Sequence, residues 1–308
     1  MGAADPPPQP RRGVNALDFD AAVAAVRREW LGRERVIEDD VSPSMLRRIA
    51  AMLDLDPDAY PRGAVLPPHW FALFAVESAR QSDIGPDGHP APGVVLPPIP
   101  LPRRMGAGRR MRILGELRAG DPLVKRAEVV AIEPKAARTG TICVLTMRHS
   151  YEVRGETIAV DEFDAVYREA VPPGTKSPVN AGTPAPADAA WQEAKHLSPT
   201  LIFRYSAVTW NAHRIHYDAD YARDTEGYPA VVQNGGLTMQ LLLDAAVRNA
   251  AGHRLSTVTA RLTRPLHVGD RITLAGSAVT DGRMSAWVAD AQGMLAAQME
   301  LGFAAGAA

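Results

Sequence analysis

Apolar and polar positions recur with two different periods along the chain, and these periods predict helices and strands. Residues 19–28, 41–53 and 235–250 carry apolar residues at helical spacing, and a further buried helix is predicted to begin near Pro68. Residues 109–168 show alternation and many β-branched residues instead, which predicts three or four strands. The pattern as a whole indicates an α+β fold.

Segments rich in Pro and Gly divide this pattern. Residues 85–102 predict an ordered loop without regular ladders, and residues 171–190 have the composition of a linker. Residues 1–15 are Pro-rich and lack periodicity, so we expect a disordered lead. The chain therefore divides into two predicted domains, residues 16–170 and residues 191–308.

The order of elements occurs twice. The Ser-Pro helix start at Ser42, where the serine is a plausible N-cap, recurs at Ser198. A Gly-Asp pair typical of a tight turn between strands also recurs. This second match pairs Leu117, Gly120 and Asp121 with Leu266, Gly269 and Asp270. We expect two copies of one fold, each a long helix wrapped by an antiparallel sheet.

Composition narrows the possible functions. The chain has 308 residues, 34 basic and 35 acidic, and a formal net charge of -1, which gives no broad basic field for nucleic acid or an anionic membrane surface. The single cysteine, Cys143, lies in an apolar run and is expected to be a buried core residue. No stretch approaches the length of a membrane span, so we expect a cytoplasmic protein with no membrane partner.

Polar residues capable of proton transfer concentrate between residues 205 and 243. His216 can act as a base, because an imidazole titrates near neutral pH, and Asn211 can orient a water or hydroxyl through its amide. The Gly-Gly step at Gly235 opens an apolar helix whose first N–H groups can bind a developing negative charge. Three structural alternatives remain open for these residues: a core histidine, a loop-capping asparagine and a flexible turn.

Two strings in this segment, N-A-H-R-I-H-Y-D and E-G-Y-P-A-V-V-Q-N-G-G-L, resemble the MaoC-like hydratase/dehydratase families of the hot-dog fold. With P-L-P-R-R-M in the first half, they are most similar to the double hot-dog branch that includes mesaconyl-C4-CoA hydratases and type 2 hydroxyacyl-thioester dehydratases. The resemblance covers nearly the whole chain. Asn211 stands where the general motif has Asp, and Asn234 and Gly236 replace a His and a Pro of the relatives.

The resemblance implies reversible hydration of an enoyl-CoA thioester or dehydration of a 3-hydroxyacyl-CoA, with a short branched or dicarboxylic acyl group such as mesaconyl-C4-CoA. His216 would be the base, Asn211 the orienting group, and the Gly235 N–H the oxyanion donor. The C-terminal half would carry the chemistry, and the N-terminal half would shape the acyl pocket under the loop at 85–102. An acyl-CoA thioesterase and a non-catalytic acyl-CoA-binding protein are the alternatives.

Further residues of the same segment are predicted to contact the substrate. They are Arg214, His213, Gly236, Asn234 and Tyr205. The sequence has no CxxC, clustered HxxxH or carboxylate cage to suggest a metal and no G-x-G-x-x-G to suggest a dinucleotide. We therefore expect no cofactor, acyl-CoA as the substrate, and a homodimer.

Overall fold

A computed structural model describes residues 16–137, 140–170 and 182–305. The predicted lead at 1–15 and most of the predicted linker, residues 171–181, lie outside the described residues. The helices are α1 (Ala16–Trp30), α2 (Pro43–Met52), α3 (Pro199–Val208) and α4 (Gly235–Arg248), with short 3₁₀ turns at Trp70–Leu73, Gln81–Asp83 and Arg214–His216 and a π turn at Tyr221–Thr225. Within the described ranges, no helix is both long and apolar enough to cross a membrane.

The strands form one antiparallel sheet with two halves of identical strand order. They are β1 (Glu34–Asp40), β2 (Arg103–Ile113), β3 (Pro122–Ala137), β4 (Gly140–Val153), β5 (Glu156–Arg168), β6 (Trp191–His196), β7 (His253–Leu262), β8 (Arg271–Gly276), β9 (Arg283–Ala289) and β10 (Leu295–Ala305). From edge to edge the order is β1-β3-β4-β5-β2-β7-β10-β9-β8-β6. The halves meet where β2 pairs with β7, at Met111 and Val258 for example.

The predicted internal repeat is confirmed by equivalent local geometry in the two halves. Ser42 caps α2 by accepting a hydrogen bond from the Met45 N–H, and Ser198 caps α3 in the same way. Gly120 and Gly269 have φ values of 92° and 91° in the two strand turns. Such positive values favour glycine, which explains why the sequence repeats it at both turns.

The predicted long helix of the N-terminal half is wrong. The chain near Pro68 forms only the 3₁₀ turn Trp70–Leu73, and Ala75 has a φ of 52°. Contacts with β1 redirect the backbone: Asp39 accepts a hydrogen bond from the Ala75 N–H, and Glu77 binds a guanidinium on β1. These tertiary contacts outweigh the apolar helical pattern, so the segment after Pro68 forms no long helix, and the long helix that packs on the N-terminal half of the sheet is α1.

The apolar core lies on the concave face of the sheet. Leu237 and Leu242 of α4 are fully buried there, in one cluster with Trp70 and Phe71 of the N-terminal half. A second cluster lies under α1 and includes the fully buried Cys143, as the sequence predicts. The strand β1 was not predicted, because its polar positions outnumber its apolar ones at the edge of the sheet.

Candidate active site

His216 lies at the end of the 3₁₀ turn that follows α3, and its ring is fixed by one hydrogen bond. Its Nδ1 is 2.8 Å from the carbonyl oxygen of Val232. A carbonyl can only accept, so Nδ1 carries the proton and the neutral ring keeps a lone pair on Nε2. Burial lowers the pKa of His216 to about 4. The imidazole is therefore neutral at neutral pH and able to accept a proton.

Asn211 lies five residues before His216 and uses one side of its amide within the loop. Its Oδ1 accepts a hydrogen bond from the His213 N–H at 3.0 Å, and its own N–H bonds to the Ser206 carbonyl at 2.8 Å. The Oδ1 atom of Asn211 therefore has the loop-capping role that the sequence left open as an alternative. No described residue accepts from Nδ2, so its two hydrogens can be donated to a ligand.

His213 is buried between two other imidazoles. Its ring centroid lies 3.9 Å from that of His89 and 5.4 Å from that of His216. Burial first, and then the neighbouring imidazoles, lower the pKa of His213 to about 2. A ring in this position stays neutral and supports His216 by packing.

One group in the described part of the chain has the spacing of a metal site, namely Asp87, His89 and His213. Asp87 already accepts hydrogen bonds from His89, at Oδ1 from the backbone N–H and at Oδ2 from Nδ1. Burial opposes the ionisation of Asp87, but these bonds prevail and its pKa falls to about 2. The carboxylate of Asp87 and the ring of His89 thus satisfy each other through hydrogen bonds.

Arg214 holds the Pro-rich loop against the motif. Its Nε and Nη2 both bond to Asp218 Oδ2, at 3.0 and 2.7 Å, and its Nη1 donates to the Pro86 carbonyl. The Arg214 N–H also donates to the Asp87 carbonyl. These bonds leave few guanidinium hydrogens of Arg214 for a phosphate of the substrate. Substrate binding by Arg214 stays a prediction.

The helix α4 begins at Gly235, immediately after Asn234. The amide Nδ2 of Asn234 donates to Ser206 Oγ at 3.2 Å, and Ser206 in turn holds Asn211. Since Val232 holds the ring of His216, the segment before α4 contacts both halves of the motif. The N–H groups of Gly235 and Gly236 have no partner inside the helix, as at every helix start.

Both glycines lie where an added side chain would crowd a neighbour, and neither has a positive φ. A Cβ on Gly235 would lie 2.5 Å from Leu262 Cδ1, and one on Gly236 would lie 2.5 Å from the Tyr205 hydroxyl. Tyr205 is buried, and burial raises its pKa to about 12. The predicted contact residues Tyr205 and Gly236 are thus packed against each other at the start of α4.

A cavity of about 280 Å³ lies beside this helix start. Leu262, which touches Gly235, lines it, together with Met239 of α4. The other walls come from residues 72–76 and from β2 to β5 of the N-terminal half. The loop at 85–102, predicted to cover the acyl pocket, does not line this cavity. It packs on the motif, where Gly88 touches the Ala212 carbonyl.

The sequence interpretation missed the polar lining of this cavity. Arg109, Asp161, His149 and Lys125 stand on four neighbouring strands and all line it. A signal was present, because each takes an inward position in an otherwise apolar alternation. On β3, for instance, Lys125 falls between the buried residues Leu123 and Ala127.

The family of hydroxyacyl-thioester dehydratase type 2 matches residues 69–268, a segment that contains the motif, α4 and the cavity-lining strands. The chain belongs to this family. Members are hydro-lyases, so the protein is an enzyme of that class. Mesaconyl-C(4)-CoA hydratase of Chloroflexus aurantiacus is 39% identical to this chain over 220 residues, covering 70% of this chain and 77% of the relative.

Solved structures of MaoC-like proteins have the same fold as this chain. A MaoC-like dehydratase from Phytophthora capsici superposes with a TM-score of 0.67 at 15% identity, covering 90% of this chain and 97% of that one. HtdX of Mycobacterium tuberculosis gives a TM-score of 0.59 at 15% identity, over 87% of this chain and 99% of that one. The two halves of identical strand order therefore form a double hot-dog.

Proposed function

We propose that the protein catalyses the reversible hydration of an enoyl-CoA, or the reverse dehydration, with His216 as the acid-base group. The observation that carries the proposal is the ring of His216, held at Nδ1 by the Val232 carbonyl and kept neutral by burial. An Nε2 lone pair in a partly closed site is what a general base requires.

The reaction uses water and one proton shuttle. His216 Nε2 accepts a proton from water as the oxygen bonds to the β-carbon of the thioester, and the electron pair of the double bond moves to the thioester oxygen. The N–H of Gly235, with that of Gly236, would stabilise this enolate. The imidazolium then returns its proton to the α-carbon. Asn211 would hold the water through Nδ2, and no cofactor takes part.

The proposed substrate is a short branched or dicarboxylic acyl-CoA such as mesaconyl-C4-CoA. Similarity to the Chloroflexus hydratase over most of both chains supports it. The cavity of about 280 Å³ beside α4 has room for such an acyl group. Action in the cytoplasm as a homodimer stays a prediction.

A panel of enoyl-CoAs tests the proposal. Crotonyl-, mesaconyl-C4- and longer enoyl-CoAs are incubated with the enzyme, and products are followed by mass spectrometry for the gain of one water. We expect hydration of at least one compound and a loss of about 100-fold or more in His216→Ala, as on removal of a general acid-base group. His253→Ala, the same change at an exposed histidine on β7, is the matched control.

Three results would contradict the proposal. Full activity of the His216→Ala variant would show that His216 is not the general base. Release of free thiol without a gain of water would make the enzyme a thioesterase. Binding of every compound without turnover would favour a non-catalytic acyl-CoA-binding protein.

A further inference from the structure

Lys125 is a buried cation whose ion-pair partner, Glu77, is shared with Arg35. Its side chain lines the cavity and is 6% exposed. The nearest carboxylate oxygen recorded for it, Glu77 Oε1, is 3.8 Å from Nζ, beyond hydrogen-bond distance. Glu77 is already held by both terminal nitrogens of Arg35, at 2.7 and 3.0 Å. Burial lowers the pKa of Lys125, as expected for an ammonium removed from water.

The two carboxylates that line the cavity are matched by other cations. Asp161 forms two hydrogen bonds with Arg109, both of 2.8 Å. Asp164 forms two with Arg110, at 2.7 and 3.0 Å. Neither acid is free to balance Lys125. A buried charge that lacks a hydrogen-bonded counter-ion is costly, so an anion that reaches the Lys125 ammonium within hydrogen-bond distance gains a strong interaction.

His149 offers a second donor in the same cavity. No described residue forms a hydrogen bond with its ring, which packs edge-on against Phe163 at 5.1 Å. Burial first, and then the charge of Lys125, lower its pKa to about 3. A neutral imidazole carries one N–H that can be donated to an anion without adding a charge.

The cavity connects this cation to the helix start. Leu262 touches Gly235 and lines the cavity, and Met239 lines it from the next turn of α4. An acyl group whose thioester oxygen lies at Gly235 would therefore extend toward β3 and β4. Its far end would meet Lys125 and His149.

We propose that Lys125, assisted by His149, binds a carboxylate at the far end of the acyl group and selects dicarboxylic acyl thioesters over neutral ones. This inference rests on the proposed function and decides between its branched and dicarboxylic substrates. Ion pairing with a desolvated ammonium gives the selectivity, because a neutral acyl group would leave Lys125 with only the 3.8 Å pair to Glu77.

Matched substrates and one substitution test the inference. Mesaconyl-C4-CoA is compared with 3-methylcrotonyl-CoA, and glutaconyl-CoA with 2-pentenoyl-CoA, since each pair differs by a carboxylate in place of a methyl. The measurement is the ratio of kcat/KM within each pair. We expect the enzyme to prefer at least one carboxylated member by about 100-fold, and Lys125→Met to lose most of that preference.

Lys135→Met is the matched control, because Lys135 lies on the same strand but is 53% exposed. It should keep the full preference. Replacing a buried cation with a hydrophobic residue of similar volume is usually tolerated, and Lys125→Arg, which should retain part of the preference, covers the case in which Lys125→Met does not fold.

Failures of the two proposals can be told apart. An enzyme that hydrates no enoyl-CoA contradicts the proposed function itself. Turnover of neutral substrates with no preference for carboxylated ones contradicts only the role of the cavity. An unchanged ratio in Lys125→Met would likewise overturn the assignment of Lys125 while leaving hydration intact.

Discussion

The two halves of the sheet have the same strand order but cover their concave faces differently. In the C-terminal half α4 lies on inward positions that are apolar, such as Leu274 and Val288. In the N-terminal half the corresponding segment forms only a 3₁₀ turn, and charged residues surround a cavity beside it. The difference indicates a division of roles: α4 supplies a helix start beside the motif, and the 3₁₀ turn in the equivalent place leaves space.

Besides the pairing of β2 with β7, one carboxylate of α4 connects the two halves. Asp244 on α4 accepts hydrogen bonds from His69 Nε2 at 2.8 Å and Trp70 Nε1 at 3.1 Å, both in the N-terminal half. His69 is 1% exposed. Removing this contact is therefore the first test of how strongly the two halves depend on each other.

The largest effect on stability is expected from Asp244→Leu. The change leaves three buried donors without this acceptor, those of His69, Trp70 and Gln240, so the free energy of unfolding should fall by about 3–5 kcal/mol in urea titrations. Asp224→Leu, at an exposed carboxylate whose side chain is 63% accessible, is the control and should stay within about 1 kcal/mol. Equal effects of the two changes would mean that Asp244 does not hold the halves together.

Acid should destabilise both halves through their buried imidazoles. His149 in the N-terminal half and His213 in the C-terminal half have pKa values of about 3 and about 2, below the ordinary 6.5. Between pH 6.5 and 4.5 the unfolded chain binds the protons, so stability falls as the pH falls. Each imidazole accounts for about 1.4 kcal/mol per pH unit, or about 2–3 kcal/mol over this range.

Single substitutions separate the two contributions. His149→Phe and His213→Phe should each reduce the loss of unfolding free energy between pH 6.5 and 4.5, and each variant reports on its own half. The control is His253→Phe, at an exposed position, which should leave the slope unchanged. If His149→Phe also left this slope unchanged, the result would mean that water in the cavity solvates the His149 ring in the folded protein.

The smallest effect is expected at the repeated turns. Gly120→Ala and Gly269→Ala place a side chain at φ values of 92° and 91°, so each should cost about 1–2 kcal/mol in urea titrations. The added Cβ of Gly120 also meets the flexible end of Arg62, whereas that of Gly269 meets nothing within 4 Å. Costs that differ by several kcal/mol would show that the two turns are not equivalent.

Much of the fold could be predicted because it depends on short-range signals. The Ser-Pro caps, the Gly-Asp turns and the apolar face of α4 are set by residues within a few positions of one another. The absent helix near Pro68 could not be predicted in this way. Its apolar pattern favours a helix, and only the contacts of Asp39 and Glu77 with distant residues redirect the backbone.

The sequence by itself determined the family resemblance, the two copies of the fold and the candidate residues Asn211, His216 and Gly235. Tertiary structure decided which atoms of those residues are available. The Val232 carbonyl orients the ring of His216, and the His213 N–H occupies the oxygen of Asn211. Tertiary structure also assembled the cavity lining around Lys125, because neighbouring strands bring together inward side chains that are far apart along the chain. Burial and pairing follow from that assembly, so neither can be read from the spacing of residues alone.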